Sequence, residues 1–360
     1  MKTFKLFTIA ALAGSLAAFD SYACTGISLS AKDGSKVVAR TVEWAATPMK
    51  CGYVTAPRGH QHQSYTPTGE NGLKYTGVYG YVGVYTEYEP FVVEGINESG
   101  LSAGLFFFPG YGSYTPYSEV NNDKTLCDMQ FVSWVLSQFS SISQVKEAIK
   151  KVDLVTLSNK IGDVHWRIAQ PDGKMVVLEF VNGVPQFYDN TLGVITNAPG
   201  FRWHMTNLNN YINLQPGTES DKTIKNGVTL RSLGHGSGNL GLPGDFTSPS
   251  RFVRAAFFQT TAPVRDTGFE TVTQAFHILN NFDIPIGSQH AAADIPEGMP
   301  SATQFTSAAD LKALKFYYRT AWNSNIRCID LMSIDFHRVK YQSHPLDKSS
   351  EQPIEMIKVH

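Results

Sequence analysis

Cysteine is scarce in this chain, with four in 360 residues at positions 24, 51, 127 and 328. The wide spacings and the lack of any Cys-x-x-Cys pair exclude the common zinc-site signature and a compact disulfide framework. The 10 histidines form no His-x-x-x-His pattern, so no metal is expected. Charge is sparse as well. Charged residues make up 17%, with 30 Lys and Arg against 31 Asp and Glu, and no run of like charge occurs. Nucleic acid and anionic membrane surfaces need a concentrated basic face, so neither is expected as a partner. After residue 23 no apolar stretch approaches the roughly 18 residues of a spanning helix. Internal repeats and low-complexity tracts are absent.

The N-terminus carries a distinct signal. Lys2 and Lys5 precede an apolar run from Leu6 to Phe19, and Ser21-Tyr22-Ala23 places small residues at both positions that a signal peptidase reads. Residues 1–23 read as a signal peptide, which implies export to the periplasm or medium. Cleavage after Ala23 leaves Cys24 first, with a thiol and a free α-amine on one residue. These groups titrate near about 8.5 and about 8, so one residue supplies a nucleophile and its base. Two other readings compete. A lipoprotein cysteine prefers Leu three places upstream and a small residue two places upstream, but Ser21 and Tyr22 stand there. An even cysteine count also permits half-cystines.

Removal of 23 residues from 360 leaves 337, and residues 24–360 are read as a single large domain. Thr25 to Ser30 alternates apolar with small or polar residues, Asp33-Gly34 signals a hairpin, and Val37 to Val42 is extended again. The hairpin brings Arg40 to Trp44 back towards Cys24. Strand signals follow at 78–85, 91–96 and 101–108, then helical periodicity at 126–139 and 145–152. A meander runs from Val164 to Thr196, punctuated by Asp172-Gly173 and Asn182-Gly183. Residues 213–250, rich in Gly, Pro, Ser and Thr, read as a long loop. Helices at 251–260 and 269–280 and strands at 315–322, 326–332 and 336–341 complete the pattern. Strands and helices fall in blocks, which points to an α+β arrangement of antiparallel sheets covered by helices.

Five segments in order, Cys24-Thr25-Gly26, Arg40 to Trp44, Asn97 to Leu101, Thr196 to Pro199 and Ser248 to Phe252, resemble the choloylglycine hydrolase family. That family groups bile salt hydrolases with penicillin V acylases. The resemblance covers Cys24 to about Tyr341 and implies a four-layer αββα sandwich of the N-terminal-nucleophile hydrolases, hydrolysis of a linear amide, no cofactor and a homotetramer. It also implies site roles. Cys24 attacks, Arg40 favours the thiolate, and Glu43, where relatives often carry Asp, binds the α-amine. Asn197 donates to the oxyanion, with a backbone N–H at Phe106 as second donor, and Arg251 stabilises charge.

Substrate choice rests on the pocket. Bile salt hydrolases commonly carry Asn in the loop after Gly104-Leu105, where this chain has Phe106-Phe107-Phe108. With Trp44 nearby, Phe106 and Phe107 favour an aromatic or fatty acyl group over a hydroxylated steroid. The expectation is therefore an exported penicillin V acylase-like amidase acting on small acyl amides, acyl homoserine lactones included, with a conjugated bile salt hydrolase as the alternative. A non-enzymatic lipoprotein or binding module with lipid on Cys24 is the reading from another class. A Cys/His dyad with His165, His204 or His277, as in papain-like proteases, is a further one.

Overall fold

A computed structural model describes residues 22–157 and 162–359; most of the expected signal peptide, residues 1–21, lies outside them. Strands β1 (Tyr22–Ser30) and β2 (Lys36–Trp44) form the expected hairpin. Strand β3 (Cys51–Ala56) and a small ribbon, β4 (Gln61–Gln63) with β5 (Lys74–Thr76), lead into a meander of β6 (Tyr81–Thr86), β7 (Val92–Asn97) and β8 (Ser102–Phe107). Then come β9 (Thr125–Cys127), α1 (Phe131–Gln138), α2 (Ile142–Ala148) and β10 (Asp153–Val155), which runs parallel to β9. A second meander, β11 (Val164–Ala169), β12 (Met175–Val181) and β13 (Val184–Asp189), turns at the two predicted dipeptides. Asn182 and Gly183, at φ 53° and 74°, have the left-handed backbone that a tight hairpin turn demands.

The remainder comprises α3 (Phe201–Asn207), the ribbon β14 (Lys222–Thr223) and β15 (Thr229–Leu230), α4 (Ser248–Thr261), α5 (Gly268–Leu279), β16 (Thr303–Asp310), β17 (Lys315–Thr320), β18 (Arg327–Asp330) and β19 (Gln342–Pro345). Two antiparallel sheets result, with orders β1-β2-β16-β17-β18 and β13-β12-β11-β8-β7-β6-β3-β19. Helices α4 and α5 cover the first sheet and α1 covers the second at β6, β7 and β8, so the layers stack αββα as expected. The main hydrophobic core draws side chains from both sheets.

Several elements depart from the sequence reading. The strand expected at 192–196 survives only as a bridge between Gly26 and Ile195. The strand expected at 336–341 forms instead at 342–345, paired with β3. The motif Asn97 to Leu101 is structural: Asn97 Oδ1 accepts the Ser99 and Leu101 N–H groups, and its Nδ2 donates to the carbonyls of Leu136 and Phe139 at the end of α1. No helix among the described residues is long and apolar enough to cross a membrane. All four cysteines are free thiols.

Candidate active site

The hairpin register pairs Cys24 with Val42 and Ala23 with Glu43, at the end of the first sheet. Cys24 is 5% exposed and lines a cavity of about 180 Å³ with Arg40, Val42, Glu43 and Trp44 of β2 and Val93, Leu105 and Phe107 of the second sheet. The cavity wall is mostly apolar. A second, more polar cavity of about 510 Å³ is lined by Ala23, Asn197, Ser248 and Arg251 and shares Phe107 with the first.

Asn197 anchors Cys24. Its Oδ1 accepts the Cys24 backbone N–H at 2.8 Å and an Arg251 Nη2–H at 2.7 Å, while its Nδ2 donates to the Phe107 carbonyl at 2.8 Å. Two donors and one acceptor fix the amide orientation, because a flipped amide would face each partner with the wrong atom. One Nδ2 hydrogen is thus committed to Phe107 O, and the other is the one available to an oxyanion. The chain around Asn197 is held by two buried histidines: His165 Nε2 donates to the Thr196 carbonyl at 3.0 Å and His204 Nε2 to the Asn197 carbonyl at 2.9 Å. Burial drives His204 down to about 4, so it is neutral. Neither histidine acts on the sulfur, and His277 is exposed, on a shallow surface pocket away from Cys24. The Cys/His dyad reading is therefore set aside.

Arg251 sits in the first turn of α4, where both burial and the helix dipole disfavour a cation. Asp245 organises that helix start by accepting from the Thr247 N–H and the Ser250 hydroxyl. Acceptors surround the guanidinium: Phe246 O takes Nε–H, Cys24 O and Thr25 Oγ1 take Nη1, and Asn197 Oδ1 takes Nη2. Arg251 therefore clamps the Cys24 backbone to Asn197. Arg40 donates to the carbonyls of Val93 and Leu105 and lies with its guanidinium 3.8 Å from the Phe106 ring centre.

Burial pushes the Cys24 thiol above its usual range. Arg40, Arg251 and a hydrogen bond from the Glu43 backbone oppose that rise, whereas the Glu43 charge adds to it. The expectation that Arg40 favours the thiolate has the right sign, but desolvation is the larger effect. Glu43 is itself raised to about 7 by burial, with Arg251 the leading opposing influence. Its Oε1 accepts from the Thr303 hydroxyl at 3.4 Å, and its Oε2 has no hydrogen-bond partner among the described residues. The Cys24 nitrogen, joined here to Ala23 as a peptide N–H, donates to Asn197 Oδ1 and not to Glu43.

Phe106 requires a correction. Phe108 N–H donates to Asp163 O across the β8–β11 ladder, and hydrogen-bonded pairs recur every second residue, so the Phe106 N–H is spent on His165 of β11. Its ring is fully buried against Gly26, where a Cβ would come within 2.9 Å of it, and it is absent from the cavity lining. Phe106 therefore supplies neither the oxyanion N–H nor the pocket wall. Trp44, its Nε1 donating to Thr47 Oγ1 at 3.0 Å, and Phe107 do line the cavity. No cluster of three or more His, Cys, Asp or Glu among the described residues is placed to hold a metal.

The family pattern described as linear amide C–N hydrolases, choloylglycine hydrolase family, matches residues 24–347. The bile salt hydrolase/transferase of Clostridium perfringens is 33% identical over 312 residues, 86% of this chain and 92% of that protein. The crystal structure of a mutant conjugated bile acid hydrolase from the same organism superposes with a TM-score of 0.80 at 29% identity, covering 93% of this chain and all of the other. The penicillin V acylase of Pectobacterium atrosepticum is more distant, 22% identical over 262 residues, 68% of this chain and 62% of that protein.

Proposed function

Because the chain belongs to the choloylglycine hydrolase family of linear amide C–N hydrolases, we propose that Cys24 is its nucleophile, freed by cleavage after Ala23 in an exported protein, and that it cleaves amides of aromatic or fatty acids. The liberated α-amine, held by Asn197 Oδ1, takes the Sγ proton. The thiolate attacks the acyl carbonyl, and charge on the tetrahedral oxygen meets the second Asn197 Nδ2–H. Collapse breaks the C–N bond, the α-ammonium returns its proton to the departing amine, and water hydrolyses the thioester. Removal of Ala23 joins the sulfur to the polar cavity, which suits the amine half.

The observation that carries the acyl preference is the cavity itself. At about 180 Å³, with Trp44, Val93, Leu105 and Phe107 in its wall, it is close to the ~150 Å³ apolar void known to take up benzene. A single ring or an acyl chain fills that volume, as in a phenoxyacetyl group, whereas four fused rings would project from its open mouth. A second reading, conjugated bile salt hydrolysis, is favoured by the 33% identity to the Clostridium perfringens enzyme. Side-by-side assay of processed protein on penicillin V, a long-chain acyl homoserine lactone and glycocholate separates the two. Faster turnover of glycocholate than of the other two overturns the acyl assignment. Cys24→Ala should abolish turnover in a folded protein, and residual hydrolysis above about 1% would remove Cys24 from the chemistry. Assembly as a homotetramer is part of the same proposal and is read by light scattering.

A further inference from the structure

Three charged side chains lie almost fully buried beside the sulfur cavity: Arg40 of β2, Glu94 of β7 and Arg167 of β11, all under 3% exposed. Arg167 Nη2 donates to Glu94 Oε1 and, at 3.0 Å, to Ser102 Oγ. Arg40 Nη1 stands 3.6 Å from Glu94 Oε2, which accepts no hydrogen bond among the described residues. Arg40 uses its N–H groups on the carbonyls of Thr41, Val93 and Leu105 instead. Gly104 makes room for this carboxylate, since a Cβ there would collide with Glu94 Oε2. Two buried guanidiniums thus share one carboxylate that is committed to the remoter cation. Arg167 is not among the residues lining the cavity.

Arginine stays protonated even when buried, so the trio carries one uncompensated positive charge. Isolated buried charge is costly, and of the two cations Arg40 is the one that lines the cavity with Cys24. The charged groups acting on that sulfur are Arg40 and Glu43 from β2 and Arg251 from α4, with Arg40 the strongest of those favouring the thiolate. Around Arg40 itself stand Glu94 and Arg167, while His165 of β11 packs edge-on against the Phe106 ring beneath it, paired with Glu179 of β12.

We propose that Arg167 is a positioning residue: by holding Glu94 through Oε1 it limits Arg40 to an ion contact with Oε2 that lacks a hydrogen bond, and leaves the guanidinium on the cavity wall it shares with Cys24 to favour the thiolate. Without Arg167, the freed Glu94 carboxylate closes from its 3.6 Å ion contact to a hydrogen-bonded pair with Arg40 and weakens the Arg40 field at the sulfur. An opposite charge within about 4–6 Å is worth roughly 1–3 pH units of acidity, so its loss raises the thiol's midpoint by about one unit or more.

The proposal rests on Cys24 as nucleophile, but its test does not need turnover. The rate of Cys24 alkylation by iodoacetamide, followed by peptide mass against pH, reads the thiol's ionisation in the processed full-length protein. Arg167→Met should move the midpoint up by about one unit and slow alkylation about tenfold on the acid side. The double variant Arg167→Met/Glu94→Gln should return to within about 0.3 units of the parent, because no carboxylate is left to neutralise Arg40, and Arg167→Lys should behave like the parent. An unchanged midpoint in Arg167→Met, or a double variant no closer to the parent than the single, overturns the proposal. If Arg167→Met does not fold, Glu94→Gln alone decides: a midpoint at or below the parent's supports it, and an upward shift refutes it. Failure of the nucleophile assignment shows separately, as turnover by Cys24→Ala.

Discussion

Asn197→Asp isolates the hydrogen-bond donor of the site from its anchor. Asp keeps a side-chain oxygen to accept the Cys24 nitrogen and the Arg251 Nη2–H, both now at Asn197 Oδ1. It loses the Nδ2 group, which gives one hydrogen to Phe107 O and has one left for the oxyanion. An oxyanion donor is worth about 2.7–4 kcal/mol, so kcat should fall by roughly a hundredfold to a thousandfold, with KM changed far less. Asn197→Ala removes anchor and donor together. Three buried hydrogen bonds at about 1 kcal/mol each predict a loss of about 3 kcal/mol of stability, or about 4 °C in Tm for a chain of this length. The assay is steady-state hydrolysis of a phenoxyacetyl amide by processed enzyme, with calorimetry on the same samples. If Asn197→Asp stays within threefold of the parent in kcat, Asn197 supplies no oxyanion donor. If Asn197→Ala melts with the parent, the hydrogen bonds described around Cys24 do not hold the site.

Glu43 makes a pH prediction whose sign is set by its raised carboxyl, at about 7 against an ordinary 4.5. A folded value above the unfolded one contributes stability that is present below about pH 4.5 and is lost as pH rises through 7, about 3 kcal/mol in all. Glu43→Gln removes that dependence, so denaturant titration should show the variant gaining about that much on the parent between pH 4.5 and 7.5 before residues 1–23 are removed; a constant difference would count against the buried, unpaired carboxylate. The cavity makes another prediction. Leu105→Trp fills the wall opposite Cys24, so turnover of long acyl or phenoxyacetyl amides should drop about tenfold or more while short acyl amides stay within threefold. Equal losses across acyl lengths would mean that the acyl group lies elsewhere.

Much of the architecture was legible where local chemistry dictates it. The hairpin at Asp33-Gly34 and the meander turns at Asp172-Gly173 and Asn182-Gly183 form because a left-handed backbone there is cheap for Gly and tolerable for Asn, whatever the rest of the chain does. Helices α4 and α5 form where they were expected, α5 starting at a Thr267–Glu270 capping box that the reading of the sequence did not use. Strand β16 was missed, although it is the central strand of the first sheet and pairs with both β2 and β17. Its sequence, Thr303 to Asp310, is small and polar with few β-branched residues, and only its burial between two partners makes it a strand. The ribbon of β14 and β15 inside the loop at 213–250 escaped for a similar reason, with two residues per strand and all four exposed.

The site divides along the same line. Cys24, Arg40, Glu43 and Trp44 are joined by one local hairpin, so their proximity follows from a turn signal. Asn197 and Arg251 reach Cys24 across 173 and 227 residues, and only the resemblance in motifs put them there. Glu94 and Arg167 carried no signal, because each reads alone as an ordinary strand residue, and His165 and His204 were read as partners of the sulfur when they hold the chain around Asn197 instead. Their importance comes from packing that the one-dimensional pattern does not encode. The same holds for Phe106, which was read into the pocket because Phe stands after Gly104-Leu105 where bile salt hydrolases commonly carry Asn. Successive residues of a strand face opposite ways, and which of the two meets the cavity depends on whether Gly26, lacking a Cβ, admits a ring beneath β1. Gly26 does so, and that places the Phe106 ring directly under Arg40, where it forms a flat apolar floor for the guanidinium. The aromatic run is thus split between two tasks, Phe107 lining the cavity beside Cys24 and Phe106 supporting the Arg40 guanidinium.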